Sequence, residues 1–245
     1  MKTEARRAII TGGGSGIGLA IARRFANAGV DVTIAGRDAA RLEKTGLPYV
    51  TMDVADEASV VEGVAKCGRV DIFIANAGAA ETAPALKTQR VMWDRMIAVN
   101  LTSAYLCARE ALPQMIGRGW GRFIAIGSTA SLKGYAYAGA YAASKHGLLG
   151  WVRTLALELA KSGVTANAIC PGYTDTPLIA GAVDAIMQKT GRDKADASAT
   201  FAKSNPMGRL ILPEEVAAAA LWLASDDAAS VNGQAITIDG GETIS

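Results

Sequence analysis

Tyr141-Ala-Ala-Ser-Lys145 lies in a stretch, Gly139–Ser162, whose residue pattern predicts a helix. Four residues apart, a phenol and an ammonium share one helix face, one turn from each other. A free phenol titrates at about 10, so it exchanges protons near neutrality only beside positive charge. Lys145 could supply that charge and Tyr141 would then act as an acid or base. Alone, the spacing also describes an ordinary exposed Tyr–Lys pair. No other Tyr-x-x-x-Lys occurs in the chain, so Tyr135 and Tyr137 do not compete for the role.

A second chemical feature opens the sequence. Thr11-Gly12-Gly13-Gly14-Ser15-Gly16-Ile17-Gly18 follows a β-rich run, Arg7–Thr11, and enters a helical pattern, Gly16–Ala28. Glycine lets the backbone turn tightly and lets a pyrophosphate approach bare amides, while the helix N-terminus supplies positive potential. Methyltransferases, flavoproteins and plain turns share such loops. The position between a first strand and a first helix favours a dinucleotide.

The spacing Gly12-x-x-x-Gly16-x-Gly18 resembles that of the short-chain dehydrogenase/reductase family, classical subgroup, and the resemblance extends over essentially the whole chain. It implies cofactor contacts at Asp53-Val54, where the carboxylate would meet the adenine, and at Asn76-Ala77-Gly78 after the fourth strand. Ala75 stands where that family usually has a first asparagine. The resemblance also implies that Ser128, thirteen residues before Tyr141 at the end of the fifth strand, holds the substrate oxygen. Ser131, beyond the strand end, is the poorer candidate. Asn100, in Val99-Asn100-Leu101, matches the family asparagine that kinks its helix and holds a water leading to the lysine. By itself Asn100 reads as a satisfied polar residue in a core helix. Within Pro171-Gly172-Tyr173-Thr174-Asp175-Thr176, Pro171 and Gly172 begin the segment expected to hold the nicotinamide carboxamide, Thr174 through its backbone and Thr176 through its hydroxyl.

The mechanism so implied moves hydride between nicotinamide and a carbonyl carbon while Tyr141 moves the proton. Ser128 steadies the oxygen, Lys145 binds the nicotinamide ribose and depresses the phenol pKa, and Asn100 supplies the relay water. For the cofactor, an acid about 20 residues past the glycines would select NAD and an arginine NADP. Counting alone could select Asp38, but the strand ends at Ala35 and the family's acid position falls on Gly36, with Arg37 next. A charge-assisted pair between Arg37 and a phosphate favours NADP(H) over NAD(H). Ser15 replaces the other basic contact found in that family, and Arg37 could equally be a solvated turn residue with Asp38 a helix cap.

These residues need a frame. β-rich runs at Arg7–Thr11, Asp31–Ala35, Tyr49–Met52, Asp71–Ala75, Arg122–Gly127, Thr165–Ile169 and Ala235–Ile238 alternate with helical patterns. The helices are expected at about Gly16–Ala28, Asp56–Lys66, Arg90–Gly117, Gly139–Ser162 and Pro213–Ser225. That rhythm reads as an α/β fold: a Rossmann-type, doubly wound, parallel seven-stranded sheet with helices on both faces, in one domain spanning 1–245. Between Leu178 and Leu212 two weak helical patterns and no strand suggest a small lid over the ligand crevice.

Composition excludes other classes. The chain has 245 residues with 25 basic and 23 acidic side chains, a balance that points away from nucleic acid. Its three cysteines, Cys67, Cys107 and Cys170, are scattered and odd in number, which fits neither a disulfide framework nor a zinc knuckle. The N-terminus lacks a signal-peptide core and no apolar run is long enough to span a membrane, so a cytoplasmic, membrane-independent protein is expected. His146, the one histidine, points away from Lys145's face and reads as structural, and no metal site is expected.

The ending Asn205-Pro-Met-Gly-Arg209, Pro213-Glu-Glu-Val, Asn232-Gly-Gln and Asp239-Gly-Gly is similar to 3-oxoacyl-thioester reductases and 3-hydroxyacyl-thioester dehydrogenases. The substrate expectation is therefore a small-molecule thioester such as acetoacetyl-coenzyme A, its phosphates met by Lys189, Arg192, Lys194 and Lys203. Rival readings are an enzyme of a free ketone, sugar or aromatic alcohol, and a non-catalytic cofactor sensor, against which the intact tetrad argues. Low-charge faces such as Gly147–Leu157 and the apolar C-terminal strand suggest buried surface beyond one chain's needs, and the family resemblance implies that these are the interfaces of a homotetramer.

Overall fold

In the computed structural model, which describes residues 5–244, each of the seven β-rich runs forms a strand. They are β1 (Arg7–Thr11), β2 (Asp31–Gly36), β3 (Tyr49–Thr51), β4 (Ile72–Ala75), β5 (Gly121–Ile126), β6 (Val164–Pro171) and β7 (Ala235–Ile238). All pair in parallel in one sheet ordered β3-β2-β1-β4-β5-β6-β7. Strands β4, β5 and β6 are buried at every position, which is why they read as continuous apolar runs rather than alternating ones.

Nine α-helices lie among the described residues: α1 (Gly16–Asn27), α2 (Ala39–Glu43), α3 (Glu57–Cys67), α4 (Arg90–Ile97), α5 (Ser103–Arg118), α6 (Gly139–Leu159), α7 (Pro177–Thr190), α8 (Lys194–Ala202) and α9 (Pro213–Leu223). Two apolar layers sandwich the sheet. One is built from β-strand residues with Val60 and Val64 of α3, Leu112 and Met115 of α5, and Leu148 and Val152 of α6. The other joins the opposite face to Ile21 and Phe25 of α1 and Val216 and Leu223 of α9. Phe73 and Phe123 stack at 5.9 Å between ring centroids, and Trp151 of α6 meets Phe123 edge-on at 5.7 Å. That aromatic contact fixes α6 against β5 and with it the face carrying Tyr141 and Lys145.

The chain departs from the expected long helix Arg90–Gly117. It forms α4, then a wide π-helical turn at Ala98–Thr102, then α5. Asn100 sits in that turn and its side chain bonds Ala79 instead of facing solvent. An inserted residue in the helical ladder is a packing event, which apolar periodicity does not register. The two weak patterns between Leu178 and Leu212 are α7 and α8, and a short parallel bridge from Thr174 to Ile211 closes the segment back on the body.

Sheet order reverses beside β1, whose neighbours are β2 and β4. Loops leaving the carboxyl ends of β1 and β4 diverge there and leave a crevice, where doubly wound sheets take their ligands.

Candidate active site

The glycine loop turns where the crevice opens. Gly12 adopts φ +65°, and its amide donates to the Ala35 carbonyl at 2.7 Å, tying the loop to the end of β2. A Cβ on Gly18 would stand 2.4 Å from the Gly12 carbonyl oxygen, so no side chain fits where the helix meets the loop. The loop is also pinned to β4. Thr11 Oγ1 accepts the amides of Asn76 and Ala77, both at 3.0 Å, and Asn76 Nδ2 donates to the Thr11 carbonyl at 2.8 Å. Thr11 thus positions both sides of the crevice, a role that sequence reasoning missed because a threonine at a strand end carries no distinguishing signal.

Two connected hollows follow from this. One is lined by Gly12, Gly14, Ser15, Gly36, Arg37, Asp38, Arg41, Asp53, Val54 and Gly78. The other is lined by Ser15, Gly16, Ile17, Asn76, Ala77, Asn100, Tyr141, Lys145 and Thr176. Together they bring the sequence-predicted cofactor residues into one cleft, apart from Gly18, Pro171, Gly172 and Thr174. Gly18 stands under the loop. Pro171, Gly172 and Thr174 line the adjoining cavity instead. Thr174 is buried with its hydroxyl donating to the Gly172 carbonyl at 2.9 Å, and Thr176 donates to the Thr174 carbonyl at 3.2 Å.

Arg37 is exposed and makes no ion pair or hydrogen bond among the described residues. Asp38 caps α2 by accepting the Arg41 amide at 3.1 Å. Arg41 is a residue the sequence reading passed over. Its side chain runs along Gly14, where an added Cβ would lie 3.4 Å from Arg41 Cγ, and so places a second guanidinium on the same hollow. The five-residue α2 is too short for its periodicity to have announced it.

The tetrad assembles at the other end. Ser128 Oγ accepts the Ala130 amide at 3.1 Å, and Ser128 lines the same cavity as Tyr141. Lys145 is buried, donates to the Ile126 carbonyl at 2.8 Å, and lies 5.8 Å from the Tyr141 ring centroid. Asn100 Oδ1 accepts the Ala79 amide at 3.1 Å and Nδ2 donates to the Ala79 carbonyl at 2.9 Å. Both ends of the carboxamide are therefore occupied. Gly78 permits this approach, because a Cβ there would lie 2.8 Å from Asn100 Oδ1 and 3.8 Å from Lys145 Nζ. His146 bonds the Ala142 carbonyl of its own helix. Among the described residues no group of three or more His, Cys, Asp or Glu side chains could hold a metal. None of the described helices is long and apolar enough to cross a membrane.

In the chain without cofactor, burial dominates the electrostatics of the pair. Burial pushes the Tyr141 phenol above its ordinary value, more than the neighbouring Ser128 hydroxyl pulls it down. Burial pushes Lys145 down to about 8. The lysine bonds a backbone carbonyl beneath the ring, so in the chain alone desolvation outweighs its pull on the phenol.

Beside Ser128 and Tyr141 opens a cavity of about 260 Å³. Its walls include Ile17, Ala80, Thr82, Ala130, Tyr135, Ala138, Tyr173, Leu178 and Ile179, with no Lys, Arg, His, Asp or Glu among them. Tyr135 meets Tyr173 edge-on at 6.2 Å, and Tyr173 meets Phe201 of α8 at 5.0 Å, which ties the α7–α8 segment to the cavity wall. Behind that wall the Tyr135 phenol bonds Glu242, itself paired with Lys133 at 3.2 Å.

A parallel doubly wound sheet with a phosphate-binding loop, and a Tyr–Lys–Ser–Asn group beside an apolar cavity, defines a nicotinamide-dependent oxidoreductase. A family model described as enoyl-(acyl carrier protein) reductase matches residues 12–243. The D-β-hydroxybutyrate dehydrogenase of Rhizobium meliloti is 38% identical over 256 residues, covering 97% of this chain and 98% of that protein. Cis-4-hydroxycyclohexanecarboxylate dehydrogenase of Sinomonas cyclohexanicum is 39% identical over 251 residues, covering 97% and 96%. Actinorhodin polyketide ketoreductase, solved with NADPH, matches with a TM-score of 0.91 at 33% identity, covering 99% of each chain. The chain belongs to the short-chain dehydrogenase/reductase family, and it is an NAD(P)-dependent oxidoreductase acting on alcohols and ketones.

Proposed function

We propose that the chain interconverts an uncharged ketone and its secondary alcohol, with a 3-oxoacyl thioester as the preferred ketone and NADP(H) as the cofactor. The cavity wall carries this reading. A free carboxylate buried beside Ser128 is costly without a neutralising cation, and the lining offers hydroxyl groups but no cationic side chain. A thioester hides the same acid as a neutral group and leaves its 3-oxo carbon for reduction. Lys189, Arg192, Lys194 and Lys203 are exposed on or beside α7 and α8, outside the cavity, where a coenzyme A phosphate could meet them.

The cofactor supplies the hydride when bound. The chain's own part begins with the phenol of Tyr141, which burial keeps protonated at neutral pH and therefore ready to donate to the carbonyl oxygen. Ser128, on the same cavity, would offer its hydroxyl as a hydrogen-bond donor to the same oxygen as charge develops on it. Lys145 holds its ammonium beneath the ring, within reach of the ribose. Asn100 contributes through the widened turn it anchors, since its carboxamide is engaged with Ala79.

Turnover with NADPH and NADH, crossed with acetoacetyl-coenzyme A, acetoacetate, simple ketones and sugars, tests the substrate. Thioester and neutral ketones are expected to react, acetoacetate poorly; preference for acetoacetate would overturn the reading. Arg37 and Arg41, both on the adenosine end of the cleft, are expected to hold the extra phosphate. Arg37→Ala with Arg41→Ala should raise the KM for NADPH at least tenfold, the scale of charge-assisted bonds of about 1.5–3 kcal/mol. The KM for NADH should change less than threefold, and equal changes in both would remove the NADP(H) preference.

A further inference from the structure

Tyr137 is the one non-glycine residue with positive φ among those described, at +67°. There the Cβ crowds its own backbone, and a tyrosine lacks the short polar side chain with which Asn or Asp compensates. Glycine would hold the same conformation without strain. Such strain persists where the surroundings impose it, and it gathers at ligand sites.

The surroundings do impose it. The Ala83 amide donates to the Tyr137 carbonyl at 2.8 Å, Ala83 and Ala138 form a parallel bridge, and the Ala138 amide closes on the Tyr135 carbonyl at 3.2 Å. This seam joins two walls of the cavity beside Ser128: Ala80 and Thr82 line one side, Tyr135, Ala136 and Ala138 the other. The Tyr137 side chain belongs to neither wall. It is 65% exposed, and among the described residues it makes no hydrogen bond or ring contact. Tyr137 stands between Ala136 and Ala138, which both line the cavity, and Leu178 on the same cavity from α7 is 53% exposed. The fold therefore keeps a large, mostly exposed ring on strained backbone next to the cavity wall.

We propose that Tyr137 is a specificity-determining residue whose ring covers the part of a neutral ketone that extends out of the cavity, selecting an apolar or planar extension there. The inference rests on the carbonyl-site reading above. Because Tyr137→Gly removes the ring and relieves the backbone together, the variant is expected to fold, with a melting temperature no lower than that of the natural chain.

The experiment compares the natural chain, Tyr137→Gly and Tyr137→Phe on butan-2-one, octan-2-one and 4-phenylbutan-2-one with NADPH. Tyr137→Gly should raise the KM for the two extended ketones about tenfold, the scale of one aromatic face removed from contact. It should leave kcat for every ketone, and the KM for butan-2-one, within twofold. Tyr137→Phe should behave as the natural chain does. An equal KM rise for all three ketones, or none, would overturn the proposal. So would a fall in sedimentation coefficient, which would assign the ring to a contact between copies of the chain. Calorimetric binding of the same ketones to the NADPH-loaded protein separates the two readings. Ketones that bind with Tyr137-dependent discrimination but do not turn over would sink the catalytic reading alone; ketones that do not bind at all would sink both.

Discussion

Tyr141→Phe is expected to lower ketone reduction by about 10²- to 10⁴-fold while the protein stays folded and still binds NADPH. The substitution removes one oxygen from a half-buried ring and leaves its packing in α6 intact. What it deletes is the proton that must reach the carbonyl oxygen as hydride arrives. The pH dependence follows from the same burial. Because the phenol is pushed up, its protonated form dominates at neutrality, so reduction should hold level through neutral pH and decline only in the alkaline range. Alcohol oxidation needs the phenolate and should instead rise with pH. Steady-state rates in both directions, with a fluorescence titration of NADPH, measure all of this. A phenylalanine variant that reduced ketones at the natural rate would remove Tyr141 from the mechanism.

Replacing Lys145 by methionine should abolish most turnover, by about a hundredfold or more, and should make the protein more stable at pH 7. Lys145 is buried and held down to about 8 from an ordinary 10.5. Between those values the unfolded chain binds more protons than the folded one, so stability rises with pH across that window. Below about 8 the folded protein carries a desolvated ammonium at its full cost, roughly 3 kcal/mol for a shift of that size. Losing the 2.8 Å bond to the Ile126 carbonyl takes back about 1–2 kcal/mol. Lys145→Met should therefore gain about 1–2 kcal/mol at pH 7, and above pH 10.5, where only the lost bond to Ile126 counts, it should be the less stable by about 1–2 kcal/mol. Urea unfolding at both pH values checks the sign. A variant less stable than the natural chain at pH 7 would mean that the ammonium is well solvated or well paired where it lies.

Site and fold were legible to different depths. All seven strands could be placed within about two residues, the central β4, β5 and β6 because strands buried on both faces read as apolar runs. The glycine loop and the Tyr141–Lys145 pair could be named because tight turns and one-turn spacing are local properties. Ser128 and Asn100 needed family resemblance, since one hydroxyl and one amide carry no periodic signature. Arg41 escaped notice although it lies four residues past Arg37, because a five-residue helix has no face to display.

For the Tyr141–Lys145 pair, the sequence by itself determined which side chains are one turn apart and on which strand–loop–helix units the phosphate loop and tetrad sit. Those are consequences of backbone geometry within a few residues. Tertiary structure alone decided that burial raises the phenol and lowers the lysine, that Asn100 is taken up by Ala79 in a widened turn, and that the cavity beside Ser128 has no charged side chain in its wall. Each of these depends on what residues distant in sequence remove from water around a group, and no local spacing encodes that.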